Sequence, residues 1–151
     1  MVKNSISYKT IEGIPEESRY KEMGKFYSEI FEDADLEFFK QRIIEHPQIC
    51  IVLAYCNDTL IGFKIGYPYS KDTFYSWIGG VITQFRRQGV ATNLAINQEE
   101  YAKTNGFTKL RTKSMNQYKQ MMVLNLKNEF NIISVYANTK GQTKIVFEKL
   151  L

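Results

Sequence analysis

Arg86, Arg87 and Gly89 stand between an apolar run that ends at Val81 and Ile82 and a helical pattern that begins at Val90. The first amides of a helix have no partner inside it, and the helix dipole adds partial positive charge there. With two arginines beside it, the stretch V-I-T-Q-F-R-R-Q-G-V-A-T-N-L has the chemistry of an anion site. Gly89 lets the main chain approach a phosphate closely, where a Cβ would stand in the way. These residues alone leave two readings open, a cradle for a pyrophosphate and a merely well-capped helix.

Other chemistry-bearing types are sparse. The single histidine, His46, precedes Pro47 and reads as a helix-end residue, and no cluster has metal-ligand spacing. Cys50 and Cys56 fall at opposite ends of one predicted strand, roughly 20 Å apart at ~3.3 Å per residue, too far to bridge.

The elements that must position the loop can be read from periodicity. Ser5 to Ile11 predicts a strand, and Pro15, Glu16 and Glu17 open a helix with Tyr20, Met23, Tyr27 and Ile30 on one face. A second helix starts near Asp35, carries Leu36, Phe39 and Ile43 inward, and stops at His46 because the residue before a proline avoids the α region. Gln48 to Cys56 is β-rich, Asn57 and Asp58 are turn residues, and Ile61, Phe63, Ile65 and Tyr67 alternate with Gly62, Lys64 and Gly66, a hairpin pattern. Thr73 to Ile82 is the strand that delivers the loop. Gly79 and Gly80 inside it mark either a bulge or ligand approach, or tight packing against a neighbour.

The helix from Gly89 places Ala91, Leu94, Ala95, Gln98 and Ala102 along one face and ends at Asn105 and Gly106. Phe107 to Lys113 is a further strand. Asn116 is expected to cap a helix running to about Asn128, with Tyr118, Met122 and Leu126 as its buried stripe. Asn131 to Ala137 and Gln142 to Lys149 pair as a closing hairpin. The order is β-α-α-β-β-β-α-β-α-β-β, with no repeat or linker, and residues 1–151 read as one domain.

With 151 residues, 44% hydrophobic and 24% charged, the chain is long enough for a real core and is not of disordered composition. The net charge of +4 is spread along the chain and interleaved with 16 acids, which disfavours nucleic acid as a partner. No leader pattern and no apolar run of the ~20 residues a membrane helix needs is present, so a cytoplasmic protein is expected.

Arg86 to Ala91 resembles the R/Q-x-x-G-x-G/A acetyl-CoA signature of the GCN5-related N-acetyltransferase (GNAT) superfamily, with Val81 leading in as that family has it; Thr83 stands where many members carry proline. The element order is similar along nearly the whole chain. The resemblance implies an α/β GNAT fold, a mixed central sheet of about seven strands with four flanking helices. It further implies acetyl-CoA as co-substrate, bound in the splay between the fourth and fifth strands. Val81, Ile82 and Thr83 would hold the pantetheine arm through main-chain groups, a main-chain N–H near Val81 or Ile82 would stabilise the oxyanion, and Arg86, Arg87, Gln88, Gly89, Val90, Ala91 and Thr92 would hold the pyrophosphate.

The segment from Ser114 to Phe130 resembles the family's later motif. Asn116 then matches the asparagine that follows the fifth strand, and Asn125 takes the place of the tyrosine that commonly protonates the departing thiolate. An amide cannot do that, so both asparagines are assigned to cofactor binding and the general acid stays unassigned. The base is unassigned too: Thr73 to Ile82 contains no acid, and the candidates Asp72, Glu29, Glu32 and Asp33 read more readily as solvated surface acids. Tyr67, Tyr69 and Trp77 are candidates to line an acceptor pocket or to pack the sheet, and Tyr67 and Trp77 are the residues assigned to acceptor binding.

The expected function is transfer of an acetyl group to a primary amine, small-molecule or peptide, by direct attack in a ternary complex. The alternative is a catalytically silent CoA-binding sensor or scaffold, favoured by the missing tyrosine and strand acid. A nucleic-acid-binding α/β domain is favoured only by the charge. Neither a metal nor a membrane partner is expected, and a homodimer is compatible with a sequence that fixes no oligomeric state.

Overall fold

A strand can be apolar at every position only when both its faces are covered, and C-I-V-L-A-Y-C is such a run. In the computed structural model the described residues are 5–151, and residues 1–4 of the expected single domain lie outside them. The elements are β1 (Ile6–Glu12), α1 (Glu17–Ile30), α2 (Leu36–Ile44), β2 (Cys50–Cys56), β3 (Thr59–Pro68), β4 (Thr73–Val81), α3 (Val90–Thr104), β5 (Lys109–Met115), α4 (Lys119–Lys127), β6 (Asn131–Ala137) and β7 (Thr143–Leu150). The order is the expected one. A 3-10 turn at Thr83–Phe85 joins β4 to the loop before α3.

The seven strands form one mixed sheet in the order β1-β2-β3-β4-β5-β7-β6. Asn57 and Asp58 both take positive φ, 49° and 68°, which is the twist a tight β2–β3 hairpin requires. On one face α1 and α2 lay Met23, Phe26, Tyr27, Phe39 and Ile43 against Leu53, Phe63 and Ile65. On the other, α3 lays Val90, Leu94 and Ala102 against Val52, Ala54, Ile61 and Phe74. β2 lies between the two clusters, hence its unbroken apolar run.

β4 and β5 are the parallel pair, and their ladder is short: Thr73 with Lys109, Phe74 with Leu110, and Tyr75 with Arg111. Just above it the Thr112 hydroxyl donates to the Ser76 carbonyl at 3.0 Å. From there β4 runs on to Val81 and β5 to Met115 without pairing, so the sheet is split at its centre.

Four helix expectations are corrected. α4 starts at Lys119 with Tyr118 as its N-cap residue, and Asn116 makes no cap; its carbonyl accepts from the Lys119 ammonium at 2.7 Å. The expected stripe of α4 is largely exposed, Tyr118 at 44% and Leu126 at 51%, and Asn125 is the residue that α4 buries, at 7%. On α3 the inward residue of the first turn is Val90, with Ala91 outside, and on α2 Leu36 is exposed. The rest of those two faces is as expected, with Phe39 and Ile43 of α2 and Leu94, Gln98 and Ala102 of α3 buried; α4 alone is turned by about one position relative to its apolar pattern, because contact with the sheet outweighs the hydrophobicity of single residues.

Candidate active site

The loop between β4 and α3 is shaped by two left-handed residues, Arg87 at φ 64° and Gly89 at φ 82°. Gly89 is the N-cap residue of α3 and offers no side chain, so the first helical amides get no side-chain acceptor. Asn93 donates to the Gly89 carbonyl at 3.0 Å, which begins the helical ladder. Among the described residues the N–H groups of Arg87, Gln88, Gly89, Val90, Ala91 and Thr92 donate to no protein group. A Cβ built on Gly89 meets nothing within 4 Å, so the concave side of the turn is open to a ligand. No Asp or Glu occurs between Asp72 and Glu99, which leaves Arg86 and Arg87 to set the local charge.

Arg86 has a second duty. Its Nε donates to the Val81 carbonyl at 3.1 Å, tying the loop back to the end of β4. That carbonyl is therefore engaged within the protein. The Ile82 amide donates to the Ile61 carbonyl at 2.9 Å, so the expectation that an N–H at Ile82 is free for an oxyanion is corrected. Thr83 is exposed in the 3-10 turn, its carbonyl accepting from the Arg86 amide at 3.3 Å, and the Gln88 side-chain amide donates to the Gln84 carbonyl at 3.1 Å.

β4 itself is irregular. Ile78 pairs with Ile65 and Ser76 with Gly66, so Trp77 is the extra residue of a bulge. The bulge sits at Trp77 and not at the paired glycines. Gly80 has a packing reason, since a Cβ there would lie 2.5 Å from the Ile30 Cδ1, whereas one on the exposed Gly79 would meet nothing closer than the Phe63 carbonyl at 3.3 Å. Ile30 and Phe31 lie against Gly80, so the turn that carries Glu32 and Asp33 sits beside the unpaired stretch of β4. Asp72 is at the opposite end of the strand. Its carboxylate accepts from Thr73 at 2.9 Å and Ser70 at 3.0 Å, and these hydrogen bonds hold its pKa below the ordinary value.

On the α1/α2 face, Trp77 and Tyr67 belong to an aromatic group. The Tyr67 hydroxyl accepts from the Arg42 guanidinium at 2.9 Å, and its ring stacks on His46 at 3.6 Å. Arg42 also lies over Trp77, 5.4 Å from the ring centre, and over Phe38 at 5.0 Å. Trp77 is half-buried and Phe38 exposed, so this end of the group opens outward. Burial, with Tyr67 adding to it, pushes the Tyr75 phenol up to about 12.

A loop of unpartnered amides at the end of a strand that parts from its parallel neighbour is the geometry expected of a nucleotide-phosphate site in an open α/β sheet. The acetyltransferase (GNAT) family model matches residues 17–121, more than half of the chain. The chain belongs to the acetyltransferase (GNAT) family.

Solved structures of GNAT proteins share its fold. Ard1 from Thermoplasma volcanium has a TM-score of 0.79 at 14% identity, covering 97% of each chain. A GNAT family acetyltransferase from Elizabethkingia anophelis, solved with acetyl-CoA bound, gives 0.74 at 19% identity over 97% of this chain and 98% of that one. The ribosomal-protein-S18-alanine N-acetyltransferase from Escherichia coli gives 0.75 at 14% identity over 95% and 94%. No curated protein matches in sequence.

Two residues of this GNAT domain's interior escaped the motif reading. Lys64 appears in the sequence as an outward position of an alternating strand, and Gln98 as one member of a helix face, yet Lys64 is half-buried on the sheet face that α3 covers and Gln98 is fully buried between α3 and that face. The available signal was Gly62 and Gly66 two positions either side of Lys64. Glycines alternating on one strand face mark close approach of a helix more than contact with solvent.

Proposed function

We propose that this GNAT protein is an N-acetyltransferase that moves an acetyl group from acetyl-CoA to a primary amine by direct attack in a ternary complex. The observation that carries the reading is the run of free amides from Arg87 to Thr92 at the N-terminus of α3, beside the unpaired stretch of β4. Those amides and the Arg86 and Arg87 guanidinium groups bind the pyrophosphate. The pantetheine arm runs back between β4 and β5 past Thr83, Ile82 and Val81, with Asn116 and Asn125 on the β5 and α4 side.

The amine approaches from the α1/α2 face, where Trp77 and the Tyr67 group form one wall and the turn bearing Glu32 and Asp33 another. An amine with a pKa near ~10.4 is mostly protonated at neutral pH, so these acids, or water held by them, take up its proton. Attack of the nitrogen on the carbonyl carbon forms the C–N bond, and breaking the C–S bond sends its electron pair to sulfur. The acceptor is a small-molecule amine or a peptide N-terminus.

The second reading, a CoA-binding module without turnover, is favoured by Asn125 at the tyrosine position and by the lack of any acid in β4. Release of free thiol from acetyl-CoA across a panel of small amines, polyamines and peptides separates the two. Amine-dependent thiol release supports the enzyme; stabilisation by acetyl-CoA with no release from any amine supports the silent module.

A further inference from the structure

Lys64 lies on β3 between Gly62 and Gly66, on the face that α3 covers. A Cβ on Gly62 would come within 3.2 Å of Leu94, and one on Gly66 within 2.8 Å of the Gln98 amide nitrogen. The ladder partner of Lys64 on β4 is Gly79. The lysine runs alongside it: its Cγ lies 3.4 Å and its Nζ 3.7 Å from the place a Gly79 Cβ would occupy, ordinary contact distances. The ammonium thus rests on β4 at a point where that strand has already parted from β5.

The surroundings are polar and incompletely satisfied. None of the ion pairs among the described residues includes Lys64. The charges that act on it are Glu99 of α3 and Lys149 of β7, and these two bind each other. β2 and β4 contribute Val52 and Gly79 as its ladder neighbours, neither of which titrates. Desolvation pushes its pKa below the ordinary lysine value, Glu99 opposes the push and Lys149 adds to it. Over Gly66, two positions along the same face of β3, Gln98 is fully buried, and among the described residues its amide nitrogen and oxygen both lack partners. Ser76 and Ser114, on the strands flanking the split, are buried as well. A buried donor and acceptor left open on the strand face that carries this half-buried cation point to a polar guest on this side of the opening.

We propose that the Lys64 ammonium faces the sulfur of coenzyme A in the opening between β4 and β5 and gives its proton to the departing thiolate. This rests on the acetyl-CoA reading above. As the C–S bond breaks and its electron pair moves to sulfur, one N–H bond of Lys64 breaks and an S–H bond forms, leaving free thiol and a neutral amine. The proton shed by the acceptor nitrogen restores the ammonium through solvent. A donor whose pKa lies below that of free lysine approaches the ~8.5 of a thiol, which favours the transfer. Lys64 thereby fills the part that the amide of Asn125 cannot.

The test is a titration of coenzyme A bound to the full-length protein, followed by the ultraviolet absorbance of the thiolate, with desulfo-coenzyme A as blank. On the wild type the bound thiol should ionise about one pH unit or more below free coenzyme A, a tenfold rise in thiolate fraction. Lys64→Met should return it to the free value, and Lys64→Arg, which keeps the charge but cannot release a proton, should preserve the shift. With an amine that supports turnover, both variants should lose about 100-fold in kcat with little change in KM for acetyl-CoA.

A bound thiol that titrates like free coenzyme A on the wild type overturns the proposal whether or not the variants fold, as do equal titrations in wild type and Lys64→Met. Acetylation of Lys64 itself, seen as an acetyl increment in intact mass and mapped to that residue, overturns it by making the lysine a nucleophile. Failure of coenzyme A to raise the melting temperature of the wild type defeats the acetyl-CoA reading instead.

Discussion

Arg86 Nε donates to the carbonyl of Val81 at 3.1 Å, so one of the two loop arginines is a structural tie as well as a charge. Arg87, next in the chain, is exposed and holds a left-handed backbone at φ 64°. The two should therefore separate experimentally. Arg86→Ala should lower stability by about 1 kcal/mol, the usual worth of a lost hydrogen bond, and raise KM for acetyl-CoA. Arg87→Gly should raise the melting temperature, since relief of left-handed strain is worth about 1 kcal/mol, while still raising KM. Thermal melts and acetyl-CoA titrations of both variants check this, and equal melting temperatures would refute the distinction.

Acetyl-CoA at saturating concentration should raise the melting temperature by several degrees, because a ligand that binds only the folded state stabilises it by RT ln(1 + [L]/Kd). Gly89→Glu should remove that rise by setting a negative charge in the cradle. Its own melting temperature should fall modestly: the φ of 82° strains any side chain, but a Cβ meets no neighbour within 4 Å. A full acetyl-CoA shift in Gly89→Glu would show that the pyrophosphate lies elsewhere.

Asn125 is buried on α4, and its carbonyl accepts from the Phe130 amide at 3.0 Å. If its side chain positions bound substrate and carries no proton, Asn125→Ala should reduce turnover about 10-fold, against ~100-fold for loss of a true acid. Steady-state rates with the best amine of the panel decide, and unchanged turnover in a folded variant would place Asn125 outside the site.

Asp72 supplies a pH prediction. Its folded pKa lies below the ordinary 3.8 through hydrogen bonds from Thr73 and Ser70, so its contribution to stability is present above that value and is lost as pH falls through the lowered one. Asp72→Asn should flatten the acid limb of stability without moving the pH profile of turnover, because the residue stands at the far end of β4 from the loop. A shifted turnover profile would give Asp72 a part in the chemistry.

The loop from Val81 to Thr92 and the order of elements were legible in the residues because both are local. A glycine at a strand-to-helix bend, consecutive amides and adjacent arginines are neighbours in the chain whatever the rest of the fold does. The hairpin at Asn57 and Asp58 was legible for the same reason, as a turn is decided by which residues tolerate positive φ.

What tertiary structure decided was every relation that depends on strand register or helix rotation. The burial of Asn125 in place of Leu126 reflects how α4 turns on the sheet. The placement of Lys64 over Gly79 exists because β3 and β4 pair in that one register; a shift by one residue would send the lysine to the opposite face. Likewise the tie from Arg86 to Val81 spends a carbonyl that the motif alone would leave free. By itself the sequence determined the glycine bend and the paired arginines that lead into α3; packing determined how Lys64, Gln98 and Asn125 are placed on the sheet, since they come from segments far apart in the chain and are brought together only by the fold.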